Sequence, residues 1–378
     1  MNEVTCASST RPRIEDASSP LIATREHASR LLTIDVIKAF CIIAVIITHV
    51  GDIPAAVKAA TLRPFTIVPA VPMFILCSIF VFCLAEDKKQ GTILSWFSTK
   101  QFFKRAGRFL VPFFISIFII ILGLHVFRDL QRISAKSLFK MIMLGGRGPG
   151  AYYSLIVFQL LIIFPFLRHA YNKNQMGTVV SLVLLHIAYE TWCKSVGLSA
   201  TLYDRLIFRF FTQIALGFLL YSYHEKLRKT ALPAICIIIG AIYLINIAYL
   251  GYDQVLLYGQ PSRSIIAVLY SFGVLCYVLR LETVFQRLYK TKAGHYFLSV
   301  LLYIGKASYH IMLTQMVYFY FMRLMDWEAL LGGWINALVV DLAVTLPAGC
   351  LFFAVETLAR KWIAKGYQFI TNKKEVIS

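Results

Sequence analysis

Apolar residues gather into ten long runs, at 32–51, 67–85, 109–127, 152–167, 178–193, 206–223, 232–250, 264–281, 299–322 and 334–355, with short polar segments between them. Most of these runs approach the ~20 residues that a helix needs to cross a bilayer. The fourth and fifth are shorter and call for tilt or for help from flanking residues. Barrel strands would instead be segments of ~10 residues with strict alternation, which these runs lack. The pattern predicts an all-α fold, a polytopic transmembrane helical bundle of about ten spans. About thirty polar residues, rich in Ser, Thr, Arg and Pro, precede the first run. That order is unlike a secretory signal peptide. The expected organisation is a flexible tail over 1–30, a membrane domain over 31–360 and a C-terminal tail over 361–378. No internal repeat is visible, so the inverted-repeat signature of many transporters is missing.

Composition agrees with this reading. Of 378 residues, 58% are hydrophobic and 15% charged, with mean hydropathy +0.69. Soluble domains run near 45–50% apolar and about 25% charged, so an ordinary soluble enzyme, a disordered chain and a collagen-like fibre are excluded. The formal charge is +19. No zinc-finger spacing or basic helix directs that excess to nucleic acid. Basic loops that set topology and meet anionic lipid account for it. With the N-terminus inside, the inner segments hold 24 Lys and Arg and the outer loops 11. This asymmetry predicts a multi-pass protein of the cell membrane with both termini cytoplasmic.

The outlier is loop 128–151, which carries Arg128, Arg132, Lys136, Lys140 and Arg147 against the single carboxylate of Asp129. It fits an amphipathic interfacial segment whose basic face meets headgroups. The alternative is an acceptor-binding face, with Gly145 to Gly150 as a mobile approach. The eight cysteines form no CxxC pair. Neither a disulfide framework nor a metal site is indicated.

Charged groups inside a bilayer are costly and are functional candidates by default. The first run holds Asp35, Lys38 and His49, with Asp52 just beyond. From Lys38 to His49 is eleven residues, within about 20° of three helical turns, so the two share a face about 16 Å apart. Asp35 can pair with Lys38 one turn away, and Asp52 can orient the imidazole. Snorkelling of Lys38 and wetting of His49 are the structural alternatives. A second cluster is Lys306 and His310, four apart on one face. Arg205 and Arg209 repeat that spacing. Glu190 and Asp341 are candidate partners for these cations.

These residues resemble the acyltransferase 3 family, integral-membrane O-acyltransferases of surface glycans. The family's mark is Arg or Lys, ten residues, then His, which Lys38 and His49 match. Val71 to Phe80 resembles its P-x-F-F-x-x-S-G-F segment, with Ile79 replacing the glycine. Phe103 to Pro112 resembles K-R-x-x-R-x-x-P with one residue more before the proline, and Tyr153-Ser154-Leu155 an aromatic-x-Leu motif. Arg209 through Gly217 resembles R-F-x-x-x-x-x-G with one residue more before the glycine, and Gly305 to Leu313 closely matches G-x-x-S-Y-x-I-Y-L. Glu356 stands at the E-x-P motif without its proline. Gln315 stands where many members carry His. The likeness covers about 31–360.

The resemblance implies transfer of an acyl group, most simply acetyl, from acyl-CoA to a hydroxyl of a cell-surface or lipid-linked glycan. No cofactor is implied beyond that co-substrate. His49 would be the general base, oriented by Asp52, with Lys38 and Asp35 completing the catalytic group. Lys104, Arg105 and Arg108 form a basic step suited to nucleotide phosphates. Arg147, Tyr153, Arg209, Lys306, Ser308 and Tyr309 are the further substrate-binding candidates. Expected partners are acyl-CoA, the glycan acceptor and membrane lipid. A glycolipid or organic-anion transporter, or a scaffold in glycan assembly, would suit ten spans and buried charges as well.

Overall fold

The computed structural model describes residues 31–51, 53–87, 96–126, 134–227, 229–250 and 264–377. Every regular element among them is helical. The first half comprises α1 (Leu32–His49), α2 (Ala55–Ala60), α3 (Arg63–Thr66), α4 (Ala70–Asp87), α5 (Thr99–Val126), α6 (Ala135–Met143), α7 (Tyr152–Lys173) and α8 (Gln175–Ser195). The second comprises α9 (Ala200–Tyr203), α10 (Phe211–Leu227), α11 (Leu232–Tyr249), α12 (Ile265–Val278), α13 (Glu282–Tyr289), α14 (Lys292–Leu324), α15 (Trp327–Leu330) and α16 (Trp334–Ile377).

Nine helical stretches among the described residues are long and apolar enough to cross a membrane. Each corresponds to one of the ten apolar runs. The remaining run, 206–223, forms a 3-10 turn (Ile207–Phe210) that leads directly into α10, a helix of 17 residues. Phe211, Ile214, Ala215, Phe218 and Leu220 of α10 are all buried, so this helix lies inside the bundle. The two short runs are extended by polar flanks: α7 continues to Lys173 and α8 ends at Ser195. Elsewhere the bundle turns apolar side chains outward. Ile238 and Ile242 of α11 and Leu351 and Val355 of α16 are more than half exposed. Water would penalise such a surface, whereas hydrocarbon does not.

A hydrophobic core joins α4, α7, α8 and α10 around Ile79, Phe164 and Phe218. Tyr171 stacks on Phe218 at 4.8 Å between ring centroids. Beside this core, α1 packs against both α14 and α4, and α14 packs against α16. Two contacts fix how α1 lies on α14. At one end Gly305 sits so close to Asp35 that a Cβ would overlap the Asp35 carbonyl. Towards the other, the His49 and Phe319 rings meet edge to face, 5.7 Å apart. Fourteen residues separate each member of the first contact from its counterpart in the second. The two helices therefore run parallel and in step over about 21 Å. The first turn of α1 is tied to α13. Glu282 accepts the backbone N–H groups of Leu32 (3.2 Å) and Thr33 (3.0 Å). A carboxylate there satisfies unpaired donors and complements the helix dipole.

Candidate active site

A cavity of about 660 Å³ lies between α1, α4, α5, α7 and α14. Near Asp35 its wall carries Lys38, Arg108, Lys306 and His310. One turn of α1 brings Lys38 Nζ to 3.7 Å from Asp35 Oδ1. Asp35 is 3% exposed and lies behind the lysine. The Lys306 and Arg108 side chains are exposed at this height.

Farther along, the wall becomes apolar, with Ile42, Val45, Phe74 and Met312. Tyr153, Ser308 and Tyr309 also line it, as does Ser78. Tyr309 donates its hydroxyl to the Phe109 carbonyl at 3.0 Å, which pins α14 to α5. Ser78 donates to the Phe74 carbonyl one turn back, at 2.7 Å. At the far end are Thr48, His49 and Arg63. Arg63 opens α3, behind Leu62 in left-handed backbone conformation (φ 49°). It donates to the Thr48 carbonyl at 3.3 Å, satisfying a free acceptor at the C-terminal end of α1.

Of the residues singled out from sequence, Lys38, His49, Arg108, Tyr153, Lys306, Ser308 and Tyr309 thus line one cavity. Others are not among its lining residues. Lys104 is exposed on α5. Arg105 lies over the Trp96 ring, 3.5 Å from its centroid. Arg147 donates to Tyr320 Oη (3.0 Å) and Ser137 Oγ (3.1 Å), which holds the glycine-rich turn against α14 and α6. Gly148 in that turn has φ 108° and abuts the Met316 carbonyl, so a side chain has neither the backbone nor the space. Arg209 is buried, pairs with Asp204 and faces the Tyr203 ring at 4.7 Å. Asp52 and the segment with Arg128, Asp129 and Arg132 lie outside the described residues.

The acidic partners differ in part from those expected. Glu190 faces His186 Nε2 at 3.2 Å and accepts the Tyr203 hydroxyl. Asp341 accepts the Tyr318 hydroxyl at 2.9 Å. Since Tyr318 adjoins Phe319, this carboxylate lies near the height of His49. The acid at His310 is Glu356, 3.6 Å from Nε2.

Two lining residues, Arg63 and His310, were not among the sequence-derived site residues. His310 had a signal, its four-residue spacing from Lys306. Arg63 had none, because its place depends on how 53–66 folds back over the end of α1. Among the described residues no cluster of His, Cys, Asp or Glu could hold a metal ion.

No curated protein and no solved structure matches the chain. A family description does: "Acyltransferase domain", the acyltransferase 3 family, over residues 31–355. That interval holds the cavity and every residue described as lining it. With most of its length matched and nine helices fit to cross a bilayer, the chain belongs to the acyltransferase 3 family and is a multi-span membrane acyltransferase.

Proposed function

We propose that the protein moves an acyl group, acetyl in the simplest case, from acyl-CoA to a hydroxyl of a lipid-linked or cell-surface glycan. The observation that carries this reading is one cavity that holds Lys38, Arg108 and Lys306 near one end and His49 near the other. Lys38, Arg108 and Lys306 suit the phosphates of a nucleotide-bearing donor. An apolar wall suits the slender arm that carries the thioester. His49 lies eleven residues beyond Lys38 on the same helix, about 16 Å away. The acceptor hydroxyl enters at that end, beside Arg63.

The chemistry follows from the groups present. A hydroxyl is a weak nucleophile at neutral pH. His49 takes its proton while the oxygen attacks the thioester carbonyl carbon. The tetrahedral intermediate then expels the CoA sulfur as the C–S bond breaks, and the imidazolium returns the proton to that thiolate. The products are an ester and free CoA. General-base help of this kind is worth about 10²–10⁴ in rate. Asp52 stands three residues after His49 in the sequence, and this reading gives it the task of orienting the ring. With both termini cytoplasmic, the cationic end faces the cytosolic donor and His49 faces the opposite surface.

Purified protein incubated with acetyl-labelled CoA and membrane glycan should transfer label to an alkali-labile ester. Absence of transfer, with accumulation of unmodified glycolipid across vesicles, would favour a transporter instead.

A further inference from the structure

Arg63 stands apart from the other three cations of the cavity. Lys38, Arg108 and Lys306 gather near Asp35, whereas Arg63 lines the wall at the end where Thr48 and His49 stand. From Lys38 to His49 is about 16 Å along α1. The guanidinium is anchored once: Nη2 donates to the Thr48 carbonyl at 3.3 Å. That carbonyl belongs to the peptide joining Thr48 to His49, so the charge lies beside the backbone of the proposed base. Arg63 is half-buried, and among the described residues no carboxylate pairs with it. Its Nε and Nη1 make no further hydrogen bond among the described residues and are not buried, so a ligand in the cavity can reach them.

The chain bends to place it there. Leu62, just before, holds left-handed backbone (φ 49°), which a leucine rarely adopts. Its side chain is 55% exposed, so packing of that side chain does not offset the strain. The bend lets α3 set Arg63 against the last turn of α1. A guanidinium drawn partly out of water without a counter-charge is costly unless a ligand brings one. The donor does not bring it under the reading above. Its phosphates belong with Lys38, Arg108 and Lys306, and what reaches His49 is the uncharged thioester. The remaining reactant is the acceptor, whose hydroxyl lies at the imidazole. The planar fork of a guanidinium matches a carboxylate or a phosphate in particular.

We infer that the acceptor is an anionic glycan and that Arg63 binds its negative group, the carboxylate of an acidic sugar or the phosphate that joins glycan to lipid. The inference rests on the acyl-transfer reading above and adds the charge of the acceptor to it. Arg63 takes no part in the proton transfer at His49; it holds the acceptor so that the hydroxyl meets the ring.

The test uses the full chain in detergent, acetyl-labelled CoA and membrane glycan in three forms. One is untreated, one has its carboxylates converted to methylamides by carbodiimide coupling, and one is released from lipid phosphate by mild acid. One of the two treatments should raise the wild-type KM for glycan about tenfold, the loss of one charge-assisted hydrogen bond. Which treatment does so identifies the anion. Arg63→Gln should raise the KM for untreated glycan by the same factor and respond no further to that treatment. Its KM for acetyl-CoA and its kcat at saturation should match wild type. Arg63→Lys, which keeps the charge without the fork, should fall between the two; it is read in the same way if Arg63→Gln fails to fold. A wild-type KM for untreated glycan in Arg63→Gln overturns the inference, as does a variant as sensitive to both treatments as wild type. A lower kcat with unchanged KM also overturns it and assigns the guanidinium to the tetrahedral intermediate instead. So does a wild-type KM that neither treatment moves. A wild-type protein that transfers no label to untreated glycan overturns the functional reading itself, a separate result from any of these.

Discussion

The contact between Gly305 and Asp35 sets the height of Lys38 against α14, so Gly305→Ala tests whether that register matters. The new Cβ would lie 2.7 Å from the Asp35 carbonyl carbon, where carbon pairs prefer about 3.5–4.0 Å. Backbone on a packed helix cannot swing aside like a side-chain tip, so α1 must retreat by about 1 Å. Overpacking of this kind costs about 1–3 kcal/mol. A misplacement of 1 Å in a catalytic array costs about 10² in rate. The expected result is a lower thermal midpoint and a turnover about a hundredfold down. A suitable control is Gly107→Ala, because nothing lies within 4 Å of the Cβ it would add. That variant should match wild type in both measurements. Thermal unfolding in detergent and single-turnover transfer from labelled acetyl-CoA read the two effects separately. Wild-type rates in Gly305→Ala would refute the claim that this contact positions the cavity groups.

Further outcomes follow from the same geometry. His49→Ala should lower transfer by about 10²–10⁴ without shifting the thermal midpoint, and a folded variant with the wild-type rate would remove the general base. Lys38→Ala should abolish transfer, while Lys38→Arg should retain more of it, since the cation is kept and only its shape changes. Glu282→Ala leaves the Leu32 and Thr33 N–H groups without their carboxylate, and equilibrium unfolding should show a loss of about 1–2 kcal/mol. Arg147→Gln removes two side-chain hydrogen bonds from the glycine-rich turn. A raised KM for the glycan with acetyl-CoA unchanged would assign this loop to the acceptor; a raised KM for acetyl-CoA would set it on the donor side. An impermeant thiol reagent applied from outside should label single cysteines introduced in 52–66 and not in 86–107.

The helices could be read from the sequence because length alone decides what an apolar run does in hydrocarbon. The ends were less legible. Polar residues such as Arg168 to Lys173 continue α7 beyond its apolar run, since an intact helix satisfies its own backbone groups. Within the site, groups that share one helix were found by periodicity. Lys38 pairs with Asp35 at 3.7 Å as its spacing requires, and Lys306 and His310 line the same wall. Partnerships between helices were not accessible that way. Glu356 meets His310, and Asp204 meets Arg209, because of how α16 and the 200–210 turn are docked. Arg105 looked like a phosphate ligand by its neighbours Lys104 and Arg108. One hundred degrees of helical rotation per residue carries it to Trp96 instead.

A cavity with lining groups near both ends of α1 is most of a pore, and a membrane that stores ion gradients does not tolerate one. The wall offers an answer in its signs. Lys38, Arg63, Arg108 and Lys306 all face this space, and no carboxylate is among the described residues that line it. Asp35 offsets Lys38 at 3.7 Å, but a small cation roughly 8 Å from two of the other three charges meets a barrier of about 4 kcal/mol at an effective dielectric of 20. That is nearly a thousandfold against its entry. The charges suited to holding an anionic donor also make the vacant passage a poor conductor of protons and sodium, much as fixed positive charge excludes cations from selective channels. Under the proposed function, insulation and donor binding become two results of one arrangement of charge.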